Sequence, residues 1–288
     1  MTRTFTRFAC IDWSGQAVER PKGIAVAVAE GREAPVLLDH AWSRQDVADW
    51  LIEQAAAKVD LLVGFDFSMA LPFLDAGAYL PGWPDSPADA RALWAAIDDL
   101  SANDPHLAAG GFVDHPDIAR HFRRHGGLEG DLFGGGMGRM RLTERACREG
   151  GHGNAVSCFN LVGAAQVGKS SLTGMRMLHK LAGRVPVWPF DPVPDKGPLI
   201  VELYTSIAAR AAGLGKGRSK MRDAAALALA LAGWGIDAPV LARYDDHATD
   251  AIVGAAWLAR AAEVPGLWHP SGLTDEVAAL EGWTFGVP

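Results

Sequence analysis

The order of apolar runs in the first 72 residues is the feature that most constrains the fold. Three short runs separated by turn residues predict an antiparallel meander: TFTRFACI, KGIAVAVAEG and APVLLDHAW. The next segment predicts a helix, with Ser43 as N-cap, Asp46 three residues further on and apolar residues recurring on one face. The run DLLVGFDF after this helix is continuously apolar, as in a strand buried on both faces. Three antiparallel strands, a helix and a further strand indicate an α/β protein with a mixed sheet.

The remainder of the chain divides into a segment of irregular texture and a second ordered part. Residues 73 to about 155 contain one predicted helix and then a stretch rich in Gly, His and Arg, which we interpret as an insertion. After it we expect strands at AVSCFNLV and GPLIVELYTS, and a tail, EGWTFGVP, that forms a last strand or an ordered end. Three helices are also expected there: SLTGMRMLHKLAG, KMRDAAALALALAGWG and DDHATDAIVGAAWLARAAE. We therefore predict one domain over residues 1–288 with an insertion at about 73–155.

Composition argues against several classes of protein. With a formal net charge of −7, the chain has no overall basic field that would draw it to nucleic acid or anionic lipid, although a local basic surface is compatible with this charge. Its three cysteines form no C-x-x-C pair, which argues against zinc and a disulfide framework and favours free thiols. No apolar run is long enough to span a bilayer, and the first residues lack a signal-peptide pattern. We therefore expect a cytoplasmic protein with no membrane partner.

Carboxylates inside or beside apolar runs are the candidate functional residues. A carboxylate is expensive to bury alone, so such a residue must pair, accept hydrogen bonds or bind a cation. Several carboxylates that converge repel one another unless divalent ions neutralise them, and oxygen ligands suit Mg²⁺ or Mn²⁺. Two such ions support phosphodiester cleavage by stabilising the attacking and the leaving oxygen. The candidate ligands are Asp12, Asp66, Glu202, Asp246 and Asp250.

Each of these acids also has a structural interpretation. Asp245 or Asp246 is suited to cap the helix that follows, because the helix dipole favours a carboxylate there. Asp12 could cap its own turn through the amide of Ser14. Glu202 could pair with an arginine. The combination carries more weight than any single acid, because the acids occupy the first strand, the strand after the first helix, a later strand and a late helix start.

This arrangement resembles the ribonuclease H fold, which has three antiparallel strands, a helix and a parallel strand. The phrase DHATDAI resembles the last motif of RuvC-type nucleases, and the resemblance implies that Asp250 binds metal and that His247, three residues before it, activates the attacking water. More specifically, the chain resembles a bacterial family of predicted RNase H-like nucleases of unknown function. The pieces that carry this resemblance are CIDWSG, GFDFSMALP, VELYTS, DDHATDAIVGAAWLA and EGWTFGV. Ser68 and Thr205 stand where the family often has proline, which affects the local backbone more than the carboxylates.

The leading hypothesis is therefore a metal-dependent phosphodiesterase acting on DNA or RNA. It assigns catalysis to Asp12, Asp66, Glu202, His247 and Asp250. The stretch 118–148 is locally basic in an acidic protein and is interpreted either as a phosphate-contacting surface or as a solvated loop. The candidate nucleic-acid contacts are Arg120, Arg123, Arg124, Arg139, Arg141 and Lys169.

Two other hypotheses remain. The stretch GAAQVGKS fits the P-loop pattern with Gly163, Gly168, Lys169 and Ser170, which would make the chain a nucleotide-binding or ATP-hydrolysing protein. Too few strands follow it to build a P-loop sheet, so we interpret it as a glycine turn leading into a helix, where Lys169 can still meet a phosphate. The last hypothesis is a catalytically silent RNase H-like scaffold whose acids are satisfied by internal hydrogen bonds.

Overall fold

A six-stranded mixed sheet forms the centre of the computed structural model, which describes residues 3–163, 166–215 and 221–288. The strands lie in the order β3-β2-β1-β4-β8-β7. Their bounds are β1 Arg7–Asp12, β2 Ala25–Glu30, β3 Val36–Leu37, β4 Leu61–Phe65, β7 Val187–Trp188 and β8 Leu199–Glu202. A separate small hairpin consists of β5 Arg123–Arg124 and β6 Leu128–Glu129.

The sheet is antiparallel on one side and parallel on the other. β2 pairs antiparallel with both β1 and β3, whereas β1, β4, β8 and β7 run parallel. In the parallel part, Ile11 is level with Phe65, and Phe65 is level with Glu202. The carboxyl ends of β1, β4 and β8 therefore meet at one edge of the sheet, which is where ligands bind in open α/β sheets.

Helices cover both faces of the sheet. The helices found in the described ranges are α1 Arg44–Ala56, α2 Ala90–Leu100, α3 Gly110–Asp114, α4 Pro116–Ala119, α5 Leu142–Glu149, α6 Val167–Leu181, α7 Thr205–Ala211, α8 Ala224–Ala232, α9 Asp246–Ala261, α10 Pro265–Trp268 and α11 Asp275–Leu280. Helices α1, α2 and α6 bury one core against one face, and α7, α8 and α9 bury a second core against the other. None of the helices in the described parts of the chain is long and apolar enough to cross a membrane.

The side chains of the central strands alternate between these two cores. Ile11, Phe65 and Ile200 belong to the core that contains α1 and α6. Cys10 and Val201 belong to the core that contains α9. Since successive strand residues point to opposite faces, this alternation fixes the face of each residue at the strand ends.

The predicted α/β class and the mixed sheet are confirmed. The helix predicted after Ser43 is α1, and it carries the full capping box between Ser43 and Asp46. The strand predicted at 155–162 is wrong, because Ser157 closes a turn there by accepting the amides of Phe159 and Asn160, and only a single bridge pairs Asn160 with Arg123. The third predicted strand is reduced to two residues, Val36–Leu37.

The segment predicted as an insertion contains short elements between longer irregular stretches. Helix α2 is its longest element, and α3, α4, the β5–β6 hairpin and α5 follow at intervals. Its apolar residues still enter the core beside α6, as Trp94, Phe112 and Phe122 do. The tail after α11 is ordered and joins the sheet through one bridge between Thr284 and Glu202.

Glycines allow α9 to approach the sheet closely. A Cβ on Gly254 of α9 would collide with the Cys10 sulfur on β1, and a Cβ on Gly64 of β4 would lie 2.6 Å from a Leu258 methyl carbon.

We expect Gly254→Ala to destabilise the fold by about 1–3 kcal/mol through overpacking, despite the better helix propensity of alanine. Urea unfolding would measure this. Gly233→Ala at the end of α8, where nothing lies within 4 Å, is the control and should leave stability unchanged or raised.

Candidate functional site

Two carboxylates extend from adjacent parallel strands at the carboxyl edge of the sheet. Asp12 is the last residue of β1, and Asp66 directly follows β4. The amide of Asp66 donates to the carbonyl of Ile11 at 3.1 Å, so the pairing of the two strands continues to this point. By alternation from Cys10 and Gly64, both carboxylates lie on the face that α9 covers.

The first turns of α9 bring two more predicted residues to this edge. Asp245 caps the helix by accepting the amide of Ala248, so the capping interpretation holds for Asp245. His247 lies in the first turn, and Asp250 lies three residues later, one turn before the close contact at Gly254. Asp246 instead pairs with Arg222 at 2.9 Å, although its charge still contributes to the raised pKa of Asp250.

His247 and Asp12 form a hydrogen-bonded pair. The Nδ1 atom of His247 lies 2.7 Å from Oδ2 of Asp12. This hydrogen bond raises the pKa of His247, while burial raises the pKa of Asp12 against the opposing effect of the imidazole. With Nδ1 donating its proton to Asp12, Nε2 keeps a lone pair that can accept a proton.

Burial and then repulsion between neighbouring carboxylates raise the pKa values of Asp66 and Asp250. Burial, and then the charge of Asp12, raise the pKa of Asp66 to about 7. Burial, followed by the charges of Asp12 and Asp66, raises the pKa of Asp250 to about 8. Burial also raises the pKa of the Cys10 thiol, and the charges of these same three acids add to that effect. The three carboxylates Asp12, Asp66 and Asp250, which we call the carboxylate cluster, therefore share one electrostatic environment.

Asp66 has a defined set of donors, whereas Asp250 does not. The Thr205 hydroxyl, at the start of α7, donates to Oδ2 of Asp66 at 2.8 Å. Within residues 3–163, 166–215 and 221–288, no hydrogen bond to the Asp250 carboxylate is found. A half-buried acid without a donor is costly when ionised, which agrees with the raised pKa of Asp250.

Glu202 lies at the same edge but faces the other way. It is level with Phe65 and follows the alternation of Ile200, so it points to the face opposite the carboxylate cluster. Its four acceptor positions are filled by the two terminal nitrogens of Arg141, at 2.6 and 2.8 Å, the Met69 amide and the Thr284 hydroxyl. The pairing of Glu202 with an arginine, anticipated as one alternative, is the arrangement found.

Arg141 is the centre of a buried ionic network. Its side chain is 1 % exposed and also contacts Glu144, whose carboxylate lies 3.0 Å from the arginine Nε. Burial raises the pKa of Glu144, and Arg141 opposes this rise. The network ties α5 to β8, and the Arg141 guanidinium also donates to the carbonyl of Glu281 after α11. Arg141 was predicted to contact phosphate; it lies inside this network and also lines the cavity beside Asp12 and Asp66, so that prediction stays untested.

Two adjoining cavities open beside the carboxylate cluster. The inner cavity, about 380 Å³, is lined by Asp12 and Asp66 as well as by Glu202 and Arg141. The second cavity, about 730 Å³ and called here the long groove, is lined by His247, Lys169 and the loop after β1. Trp13, Gln166 and Ser170 line both, so the two cavities form one continuous depression. Volumes in this range suit bound molecules rather than single waters.

A buried arginine holds the walls of the long groove. Arg44 of α1, 1 % exposed, donates to the carbonyls of Ser14 and Gln16 in the loop after β1. Its other terminal nitrogen donates to the carbonyl of His106, which directly follows the lining residue Pro105. Burial lowers the pKa of Arg44 to about 10, and the nearby Arg176 adds to this effect. Arg44 thus links the loop after β1 to the segment that contains His106.

The remaining predicted arginines are engaged by carboxylates. Arg120 pairs with Asp131 at 2.6 Å, and Arg139 pairs with Asp75 at 2.6 Å. The longer pairs are Arg123 with Glu129 at 3.8 Å and Arg124 with Asp114 at 3.5 Å. These neutralised pairs do not form a free basic face around the insertion.

The described residues of the P-loop-like stretch form a turn and the start of helix α6, and several of their polar groups are hydrogen-bonded within the protein. Its central residues, Ala164 and Ala165, lie outside the described residues. Gly163 adopts φ +79°, as a glycine turn requires, and Gly168 lies inside α6 with its amide bonded to the Asn160 carbonyl. The Ser170 hydroxyl donates to the Val167 carbonyl. The groups that would hold a nucleotide phosphate and its Mg²⁺ are therefore partly occupied, and a turn rather than a strand precedes Gly163.

Three residues near this edge of the sheet were not predicted from the sequence: Glu144, Arg44 and Thr205. Glu144 and Arg44 lie in amphipathic stretches where a charged residue is ordinarily exposed. Thr205 was noticed only as a departure from a family pattern, and its hydroxyl proves to contact Asp66. Only the contacts across the fold distinguish these residues from surface residues.

The donor set of the carboxylate cluster fits a hard divalent cation. Asp12, Asp66 and Asp250 offer only oxygen atoms, and their raised pKa values are what a divalent charge would relieve. Among the described residues, no three His, Cys, Asp or Glu side chains are arranged closely enough to hold a metal as they stand. The cluster therefore has the chemistry of a Mg²⁺ or Mn²⁺ site but would have to close around the ion.

Neither a protein-family model, nor a curated protein, nor a solved structure matches this chain.

Proposed function

We propose that the chain is an RNase H-like, metal-dependent phosphodiesterase that hydrolyses DNA or RNA. The observation that carries this proposal is the meeting of Asp12 and Asp66 from two parallel strands with His247 and Asp250 from the start of α9. The sheet order with three antiparallel strands followed by parallel strands is also what the resemblance to predicted RNase H-like nucleases implies. We include in the ligand set only Asp12, Asp66 and Asp250, because Glu202 and Asp246 are held by arginines.

The proposed reaction assigns each residue a task. When bound, Mg²⁺ or Mn²⁺ supplies a Lewis acid at the phosphate and a more acidic water. Nε2 of His247 accepts a proton from the attacking water, while Asp12 holds the imidazole through Nδ1. The water oxygen forms a bond to phosphorus and the bond from phosphorus to the leaving oxygen breaks. The leaving oxygen takes up a proton from solvent, and His247 releases its proton to solvent. Thr205 keeps Asp66 in position throughout.

A Mn²⁺ titration tests the proposal. An ion that binds only the folded protein at a hundredfold excess over its dissociation constant stabilises it by about 2.7 kcal/mol, or roughly 5–10 °C in Tm. We expect this shift in the wild type and its loss in Asp12→Asn, because Asp12 contributes to both the cluster and the His247 pair. Thermal denaturation with and without Mn²⁺ measures it, together with hydrolysis of bis(4-nitrophenyl) phosphate.

The control is Asp99→Asn, which removes an exposed carboxylate at the end of α2. It should behave as the wild type in both assays. Equal Mn²⁺ shifts in the wild type and Asp12→Asn would contradict the metal site. A stabilisation by Mg·ATP that depends on Lys169 and not on Asp12 would support the nucleotide-binding alternative, and the absence of any turnover would support the silent scaffold.

A further inference from the structure

The long groove contains a cation that no carboxylate neutralises. Lys169 lines this groove, and its Nζ atom lies 2.8 Å from Nε2 of His125, to which it donates a hydrogen bond. Within the described ranges, no acid lies within ion-pairing distance of Lys169. The partner is an imidazole nitrogen rather than a carboxylate, so this contact does not cancel the lysine charge and the ammonium remains available to an anion.

This situation contrasts with that of the other basic residues nearby. The four arginines Arg120, Arg123, Arg124 and Arg139 of the insertion each have a carboxylate partner. Two acids also line the long groove: Asp114 pairs with Arg124, and Asp104 accepts the Gly111 amide while keeping its own charge. Among the described residues that line the groove, Lys169 is therefore the one Lys or Arg side chain, and no carboxylate pairs with it.

The groove also leads to the proposed reaction centre. His247, whose Nδ1 contacts Asp12, lines the same groove as Lys169, and the groove joins the inner cavity at Trp13 and Ser170. A substrate that places one phosphate at the carboxylate cluster can therefore place a second phosphate at Lys169. This requires at least two phosphates joined along a chain, as in a polynucleotide.

The depth of the depression favours a flexible polynucleotide strand as the substrate. Asp12 is 8 % exposed and lies at the bottom of the depression. Duplex DNA is stiff over roughly 50 nm and carries its phosphates on the outside of a rod, whereas a single strand bends into a narrow cleft. We propose that Lys169, supported by His125, binds a phosphate that flanks the reacting one, and that the substrate is a single polynucleotide strand lying in the long groove. This inference rests on the proposed phosphodiesterase function.

Binding of a fluorescein-labelled oligothymidylate, followed by anisotropy with Ca²⁺ as the divalent ion, tests the inference. Lys169→Ala should weaken binding about tenfold at about 50 mM salt and reduce the magnitude of the salt slope by about 0.7, the value for one phosphate contact to a single strand. Lys169→Arg should restore affinity, because it keeps the charge. The matched control is Lys196→Ala, which removes an exposed lysine before β8, at the opposite edge of the sheet, and should bind as the wild type does.

Equal affinities for Lys169→Ala and Lys196→Ala would overturn the inference, as would duplex binding as tight as that of the single strand. Hydrolysis of bis(4-nitrophenyl) phosphate by the wild type is scored separately. Turnover without any effect of Lys169 would reject the groove assignment and leave the proposed function standing. Loss of strand binding in Lys169→Ala, in a protein that hydrolyses no diester, would support the groove and reject the phosphodiesterase.

Discussion

Replacing Asp250 by Asn should make the metal-free protein more stable at alkaline pH and should abolish its stabilisation by Mn²⁺. The pKa of Asp250 is raised to about 8 by burial and by the charges of Asp12 and Asp66. An acid whose folded pKa is raised contributes stability that is fully present below its unfolded pKa, near 4, and is lost as the pH rises through the folded value. The wild type without metal should therefore lose stability between about pH 4 and pH 8.

Asp250→Asn removes the charge that causes this loss. At pH 8 we expect the metal-free variant to exceed the wild type by about 2 kcal/mol, or roughly 4–8 °C in Tm. With Mn²⁺ the order should reverse, because the variant lacks an ionisable ligand. Thermal denaturation at pH 5 and pH 8, each with EDTA or Mn²⁺, gives both results.

Asp99→Asn is again the matched control, since it removes one exposed aspartate without touching the cluster. It should show neither the alkaline gain nor the loss of the Mn²⁺ effect. An Asp250→Asn variant that is less stable than the wild type at pH 8 without metal would contradict the repulsion that we assign to this edge of the sheet.

Replacing Arg141 by Ala should cost about 3–5 kcal/mol of folding free energy at neutral pH, because it leaves buried carboxylates without their partner. Glu202 would lose two of its four hydrogen bonds, and Glu144 would lose its ion pair. The contact to the Glu281 carbonyl would also disappear. Urea unfolding followed by tryptophan fluorescence measures the loss.

Two comparisons sharpen this prediction. Arg120→Ala, which breaks the exposed pair with Asp131, should leave the unfolding midpoint nearly unchanged. The penalty in Arg141→Ala should shrink on acidification, because a protonated Glu144 is less costly to bury than a charged one. A variant that unfolds at the wild-type denaturant concentration would show that the network does not hold the edge together.

Where the runs of apolar residues were long, they predicted the strands and helices of the fold correctly. The capping box at Ser43 and the order of the first four strands follow from local chemistry, and both are present. The 155–162 stretch failed because Ser157 offers the backbone a turn that apolar patterning does not register. Strand β7, only two residues long, is defined by its neighbour β8 and has no pattern of its own.

The candidate site was predictable in part for the same reason. Asp12 and Asp66 stand out because they end apolar strands, and the parallel pairing then brings them to one edge. Glu202 ends its strand in the same way, yet a difference of one residue in register turns it to the other face. The register is decided by strand pairing, which a single sequence does not show. Arg141, the partner of Glu202, lies 61 residues away along the chain, so this pair could not be predicted from local sequence.

The position of Arg44 limits how far the segments on the two sides of the long groove can separate. One planar guanidinium spans the distance between the carbonyls of Ser14 and Gln16 on one side and that of His106 on the other. Separating these two segments would leave a buried guanidinium and three carbonyls without hydrogen-bond partners, so Arg44 opposes their separation. If the long groove holds a polynucleotide as proposed, walls tied together in this way would favour a polymer that bends over a stiff one, and the strand would enter by a free end or at a flexible point.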